Sequence, residues 1–220
     1  MKNTFRTAFL AAAMLFTSHA ALATQIYADD FSTNKGWTLG TKWQIGATAA
    51  SPSGVGSGDP VLDHTATSDN GVLGAALGGN IGAPDGLHGF YYATSPTYNL
   101  GGVTAVQLSF ARWLNSDYSP YMTSRVEVFD GKTWQLIYNN GSTGIFDNAW
   151  VMQNFNVAAF ADNNAKFAVR FSYDVTSSGV YTTGGWNVDD LTLSGDVPEP
   201  GSVLLLALGL AGLAVLRRKA

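Results

Sequence analysis

Apolar and polar residues alternate with a period of two along most of the middle of the chain. In residues 104–113, Val106, Leu108 and Phe110 oppose Gln107, Ser109 and Ala111. Val126 and Val128 oppose Arg125 and Glu127. Trp134, Leu136 and Tyr138 alternate with Gln135 and Ile137, and Phe167, Val169, Phe171 and Tyr173 with Lys166, Ala168, Arg170 and Ser172. A strand points successive side chains to opposite faces, so each run predicts a strand with one buried face. Turn formers separate the runs: Asp130-Gly131, Asn139-Asn140-Gly141 and Asp162-Asn163-Asn164. Between residues 24 and 197 no stretch keeps a helical period, and residues 158–165 predict one or two helical turns at most. Without crossover helices a parallel sheet is ruled out. The pattern predicts an all-β domain over residues 24–197, an antiparallel sandwich or barrel, and is read as a β-sandwich. Residues 47–80, rich in Gly, Ser, Asp and Asn, read as one long loop, either ordered for a purpose or mobile.

The two ends follow other rules. Residues 1–23 carry Lys2 and Arg6, an apolar run from Ala8 to Phe16 and a small-x-small site at Ala21-Leu22-Ala23, which predict a secretory signal peptide. At the other end, Pro198-Glu199-Pro200 leads into an apolar stretch over residues 202–216 and then Arg217-Arg218-Lys219. Such a helix would reach only about 22 Å at 1.5 Å per residue, against a hydrocarbon core of about 30 Å. Its terminal cations would stay on the cytoplasmic side. A short span with a basic stop suits holding an exported chain at the membrane for processing, the alternative being a simple tail anchor. The order of motif, apolar helix and basic tail resembles the PEP-CTERM sorting signal of Gram-negative bacteria. That resemblance implies an exosortase that recognises Pro198, Glu199 and Pro200, with Arg217 and Arg218 as the stop. It also implies passage through the inner membrane to the cell surface or beyond.

Residues 24–197 contain seven Lys or Arg and fifteen Asp or Glu, a net charge of −8 against −4 for the whole chain. An acidic surface without basic clusters argues against a nucleic-acid partner. The chain has no Cys, which removes disulfides, thiolate metal sites and cysteine nucleophiles. Glycoside hydrolysis needs two carboxylates, and Glu127 is the only Glu of the segment, placed as a surface residue between Val126 and Val128. His64 and His88 stand in separate loops without a His-Glu-x-x-His pattern, and no Gly-x-Ser-x-Gly elbow occurs. The glycine run 54–58 is followed by neither Lys-Ser nor Lys-Thr. The chemistry points away from an enzyme.

Two candidate sites remain. Asp29-Asp30 and Asp189-Asp190 open and close the body, and jelly rolls bring first and last strands together. By parity Asp30 shares a face with Ile26 and Ala28, and Asp190 one with Trp186 and Val188, so Asp30 and Asp190 are the expected ligands of a structural calcium ion. Asp29 and Asp189 are the alternates, because Leu191 and Leu193 switch parity and imply a bulge. Hydrogen-bonded turn Asp residues are the competing reading. In the loop 115–122, Tyr118 and Tyr121 beside Asp117 are candidates for glycan contact, with simple surface packing as the alternative. Trp113, Trp134 and Trp186 lie in strands and read as core.

The body also carries an ordered motif set. Asp29-Asp30-Phe31 with Gly36-Trp37 comes first, then Gly58-Asp59-Pro60, Leu77-Gly78-Gly79-Asn80 and Thr94-Ser95-Pro96. Leu108-Ser109-Phe110, Val126-Glu127-Val128 and Gly184-Gly185-Trp186-Asn187-Val188-Asp189-Asp190-Leu191 follow. The set resembles the bacterial jelly-roll module related to MAM domains and to the accessory domain of immune inhibitor A metalloproteases. That resemblance implies an accessory, adhesive or ligand-binding unit without chemistry of its own. The expected protein is an exported, exosortase-processed module that binds glycan, exopolysaccharide or a cell-surface protein. A purely structural or adhesive matrix protein is the alternative, and a polysaccharide hydrolase a more distant one.

Overall fold

The alternating runs become the central strands of two antiparallel sheets. The computed structural model describes residues 24–65 and 67–198. Its first strands are β1 (Thr24–Asp29), β2 (Thr38–Leu39), β3 (Trp43–Ala47), β4 (Gly71–Ala75), β5 (Ile81–Gly82) and β6 (His88–Thr94). The long middle strands are β7 (Thr104–Ser116), β8 (Met122–Phe129) and β9 (Trp134–Asn139), followed by β10 (Ile145–Phe146) and β11 (Val151–Asn156). After one helical turn, α1 (Ala158–Ala161), come β12 (Ala168–Val175), β13 (Thr182–Thr183) and β14 (Trp186–Asp196). The expected signal peptide and the sorting-signal residues Glu199, Pro200, Arg217 and Arg218 lie outside the described residues. Among the described residues no helix is long and apolar enough to cross a membrane.

The seven-stranded sheet places β10, β7, β14, β4 and β3 side by side, with β1 also on β14 and β11 on β7. The five-stranded sheet runs β2-β6-β12-β8-β9, and β5 pairs with β13 separately. The two sheets close on one core, giving the antiparallel β-sandwich that the alternation predicts. Leu73, Val106, Leu108, Phe110, Leu114, Trp186, Val188 and Leu193 face it from one side; Ala93, Val126, Val128, Val169, Phe171 and Tyr173 face it from the other. Rings interlock between the layers. Phe171 meets Phe110 at 5.1 Å and Trp186 at 5.6 Å, both edge to face.

Two irregularities set the later geometry. First and last strands do pair, with Asp29 opposite Leu191. Asp190 takes a left-handed backbone (φ 49°), and the register of β14 against β7 shifts between Asp189 and Thr192. The parity switch in the sequence is therefore a bulge. It divides one edge of β14 between β4 on one side and β1 on the other.

The second irregularity is a correction. Residues 47–80 are not one loop, because Gly71–Ala75 forms β4 between β14 and β3. All five residues of β4 are buried, so the strand shows no alternation to reveal it. Of what remains, residues 48–65 and 67–70 form a strap laid across the outer face of the seven-stranded sheet.

Candidate functional site

Side chains on the outer face of β14 fasten the strap. Asp59 Oδ1 accepts from Gly185 N at 2.6 Å and from Asn187 Nδ2 at 2.9 Å. Asp189 Oδ2 accepts from His64 N and Thr65 N, both at 2.9 Å. Two tryptophans add ties, Trp113 Nε1 to Gly58 O at 3.0 Å and Trp150 Nε1 to Leu62 O at 3.1 Å. Asp59 and Asp189 are buried, and loss of water pushes each carboxyl up to about 6. This strap closes much of one sheet's outer face. The outer face of the five-stranded sheet carries the other concentration of aromatic and charged groups.

On that second face the rows run across strands. Arg170 of β12 stands opposite Glu127 of β8 and Thr94 of β6; Ser172 stands between Arg125 and Tyr92. Trp134 of β9 lies opposite Phe129, and Leu136 opposite Glu127. Arg170 meets Glu127 through two parallel bonds, Nε to Oε2 at 2.8 Å and Nη2 to Oε1 at 3.0 Å. Its guanidinium carbon lies 4.4 Å from the Tyr92 ring centroid and 4.2 Å from that of Trp134. Arg125 lies 4.2 Å over Phe90, whose ring is 6.0 Å from Tyr92. Three rings and two guanidinia thus form one half-buried platform. Flat rings and guanidinium planes offer stacking surfaces, and the guanidinium edges and Glu127 offer hydrogen bonds to hydroxyls.

Most of this platform was invisible in the strand pattern. Trp134 reads as core but is half-buried and faces outward, as does Trp113 on the other sheet; Trp186 alone of the three is fully buried. A register shift between Val126 and Glu127 explains Trp134. It sets Trp134 and Leu136 against outward residues and Tyr138 against inward Val126. One readable signal was present: Arg125, Glu127, Arg170 and Tyr92 all occupy the face opposite the apolar positions.

The loop candidates are brought together at one end of the sandwich. Tyr118 and Tyr121 meet edge to face at 5.1 Å, and the proximity of Tyr121 raises the Tyr118 hydroxyl above its ordinary value. Asp117 is buried and already engaged, Oδ1 accepting from Tyr118 N at 2.8 Å and Oδ2 from Tyr181 N at 2.9 Å. It therefore joins two loops, while the two half-buried tyrosines stand at the rim.

The acidic pairs also close their own loops. Asp29 is the buried member of its pair and accepts from Trp37 Nε1 at 2.9 Å and Phe31 N at 3.0 Å, with Lys35 Nζ at 3.3 Å. Asp30 is half-exposed and bonded to Lys35 Nζ at 3.0 Å, which lowers its carboxyl to about 2. Asp189 is the buried member of the second pair, and Asp190 holds His64 Nδ1 at 2.6 Å and the Thr65 hydroxyl. The buried members are thus Asp29 and Asp189: β1 shifts register between Gln25 and Tyr27 and turns Asp29 inward opposite Leu191, whereas Asp189 lies on the outer face beneath the strap. Among the described residues no three His, Asp or Glu side chains are grouped so as to hold a metal ion.

Comparison with known proteins adds an address. Residues 196–219 match the PEP-CTERM protein-sorting motif. The chain thus carries the sorting motif of exported proteins. No curated protein matches the sequence. Among solved structures, 81% of this chain is similar to 30% of the CBM22-1–GH10 chain of endo-1,4-β-D-xylanase 10B from Clostridium thermocellum, solved with xylohexaose, at 15% identity and a TM-score of 0.45. The chain therefore spans less than a third of that enzyme's length. For the CBM35 of Paenibacillus barcinonensis the figures are 76% of this chain, 97% of the other, 15% identity and a TM-score of 0.41. A cleaved adhesin domain of Lys-gingipain from Porphyromonas gingivalis matches over 79% and 99%, with 11% identity and a TM-score of 0.46.

Proposed function

We propose that this is an exported, exosortase-processed β-sandwich module that binds glycan, without catalysis, on the outer face of its five-stranded sheet. The observation that carries the reading is the platform of Phe90, Tyr92 and Trp134 with Arg125 and Arg170 among them. Stacked rings and charged edges on a rigid sheet hold a sugar chain without having to order themselves first. The one carboxylate facing Arg170 on the platform, that of Glu127, is engaged in a bidentate ion pair, which suits positioning and not the paired acid–base work of glycoside hydrolysis. The body is read further as a MAM-like module of the immune inhibitor A type, on its ordered motifs. The partners are the exosortase at the tail and an extracellular polysaccharide, or a glycosylated surface protein, at the sheet.

A glycan array followed by titration calorimetry tests this. Trp134→Ala and Tyr92→Ala are expected to weaken binding about ten-fold or more each, with little change in melting temperature, because both rings are half-buried. Tyr118→Ala and Tyr121→Ala together measure the loop rim: loss there with full binding in Trp134→Ala would move the site to the loops. Binding to no glycan at all would favour a purely adhesive or structural matrix protein.

A further inference from the structure

The two guanidinia of the platform are not equivalent. Arg170 spends its fork on Glu127. Arg125 forms no ion pair and donates no hydrogen bond among the described residues, and its Nε is buried without a partner. Its guanidinium carbon lies over the Phe90 ring, 4.2 Å from the centroid. Across the ladder stands Ser172, fully buried, whose hydroxyl also has no partner.

A guanidinium presents five donors in a fixed fork and stays charged at any ordinary pH. Holding it half out of water without a counter-charge is unfavourable, and a ring beneath it satisfies one face and none of the edge. The complement with the right geometry is a planar oxyanion meeting two donors at once. The charges facing Arg125 do not supply it. Glu127, two residues along the same strand, is held by Arg170. Asp174, two residues beyond Ser172, accepts from Thr123 N at 2.9 Å. Nor is the spot part of a general attraction for anions, since the body around it has a net charge of −8.

We propose that Arg125 reads a carboxylate on the bound sugar, so that the sheet face prefers uronate-containing polysaccharide to neutral glycan. This rests on the reading of that face as a glycan platform. Tyr92 lies beside Ser172 and next to Phe90, so a sugar ring stacked there brings its ring carboxylate to the edge of Arg125. The buried Ser172 hydroxyl lies in the same row and supports the guanidinium once the anion has drawn it into place.

The test compares each of three carboxylated polymers, polygalacturonate, alginate and hyaluronan, with its own methyl ester, and dextran sulfate with dextran. The purified protein is expected to bind at least one acid form roughly ten- to hundred-fold more tightly than the ester, the scale of a charge-assisted bidentate contact. Arg125→Gln should bring acid binding down to the level of ester binding in the same variant, with the melting temperature near wild type. Arg125→Lys should restore part of it, keeping the charge but not the fork. Equal binding of acid and ester, or a preference that survives Arg125→Gln, overturns the proposal while leaving the glycan platform standing. A preference for dextran sulfate over every uronate overturns the carboxylate assignment. Binding to none of these polymers, acid, ester or neutral, overturns this proposal and the platform together.

Discussion

Replacing Trp186 with Ala is expected to lower the unfolding free energy by about 3–5 kcal/mol, the usual scale for emptying a large aromatic site in a packed core. Trp186 is fully buried, packs against Trp43 at 5.8 Å and Phe171 at 5.6 Å, and starts the strand that joins β4 to β7. For a body of this size that loss corresponds to a fall in melting temperature of roughly 6–20 °C. Trp186→Phe separates packing from polarity. The indole Nε1 has no hydrogen-bond partner, so the native residue already carries the penalty of a buried unsatisfied donor. Phe gives up part of the ring volume and also that penalty, and the two changes oppose one another. The Phe variant should therefore stay within about 1.5 kcal/mol of wild type. Calorimetric melting of both variants checks this, and equal losses would mean that the indole nitrogen is satisfied in solution.

The sequence reveals a strand where one face is wet and hides it where both faces are covered. β7 and β8 were legible because Val106 and Val126 alternate with polar neighbours that meet water or a rim, and β12 because Phe171 stands between polar Arg170 and Ser172, although Ser172 is itself buried. β4 was not, since Gly71–Ala75 is buried in all five positions between the core and the strap. Its flanking Gly, Asp and Asn residues make it look like more of the loop. Periodicity also leaves a bulge unplaced. The parity switch after Asp190 announced one, and the structure has it there. The bulges at Gln25 and between Val126 and Glu127 left no mark in composition, and they moved Asp29 inward and Trp134 outward. The platform was hidden for a further reason. Its residues come from β6, β8, β9 and β12, and only register brings Tyr92, Arg125, Trp134 and Arg170 side by side.

The strap makes the stability of this protein run against the usual pH trend. Asp59 and Asp189 each have a carboxyl raised from 3.8 to about 6 in the folded chain, with burial as the main cause. Between those two values the folded state binds protons that the unfolded chain has released, so acidification favours folding there. The contribution is fully present below about pH 4 and is lost as pH rises through 6. At 1.36 kcal/mol per unit, a shift of this size sets an upper scale of about 3 kcal/mol for each group. The opposite contribution comes from Asp30, whose carboxyl is lowered to about 2 by Lys35. That pair is partly exposed, and its effect falls away only below about pH 4, outside the window. The melting temperature of the wild type should therefore fall between pH 4.5 and 7. Asp59→Asn and Asp189→Asn should each flatten that slope, and the double variant should nearly abolish it. The amide keeps an acceptor for Gly185 N or for His64 N and Thr65 N, so the strap can stay in place while the titration disappears. A melting temperature that rises across this range, or a slope that neither substitution changes, would mean that both carboxylates are well solvated and the strap is not closed over the sheet.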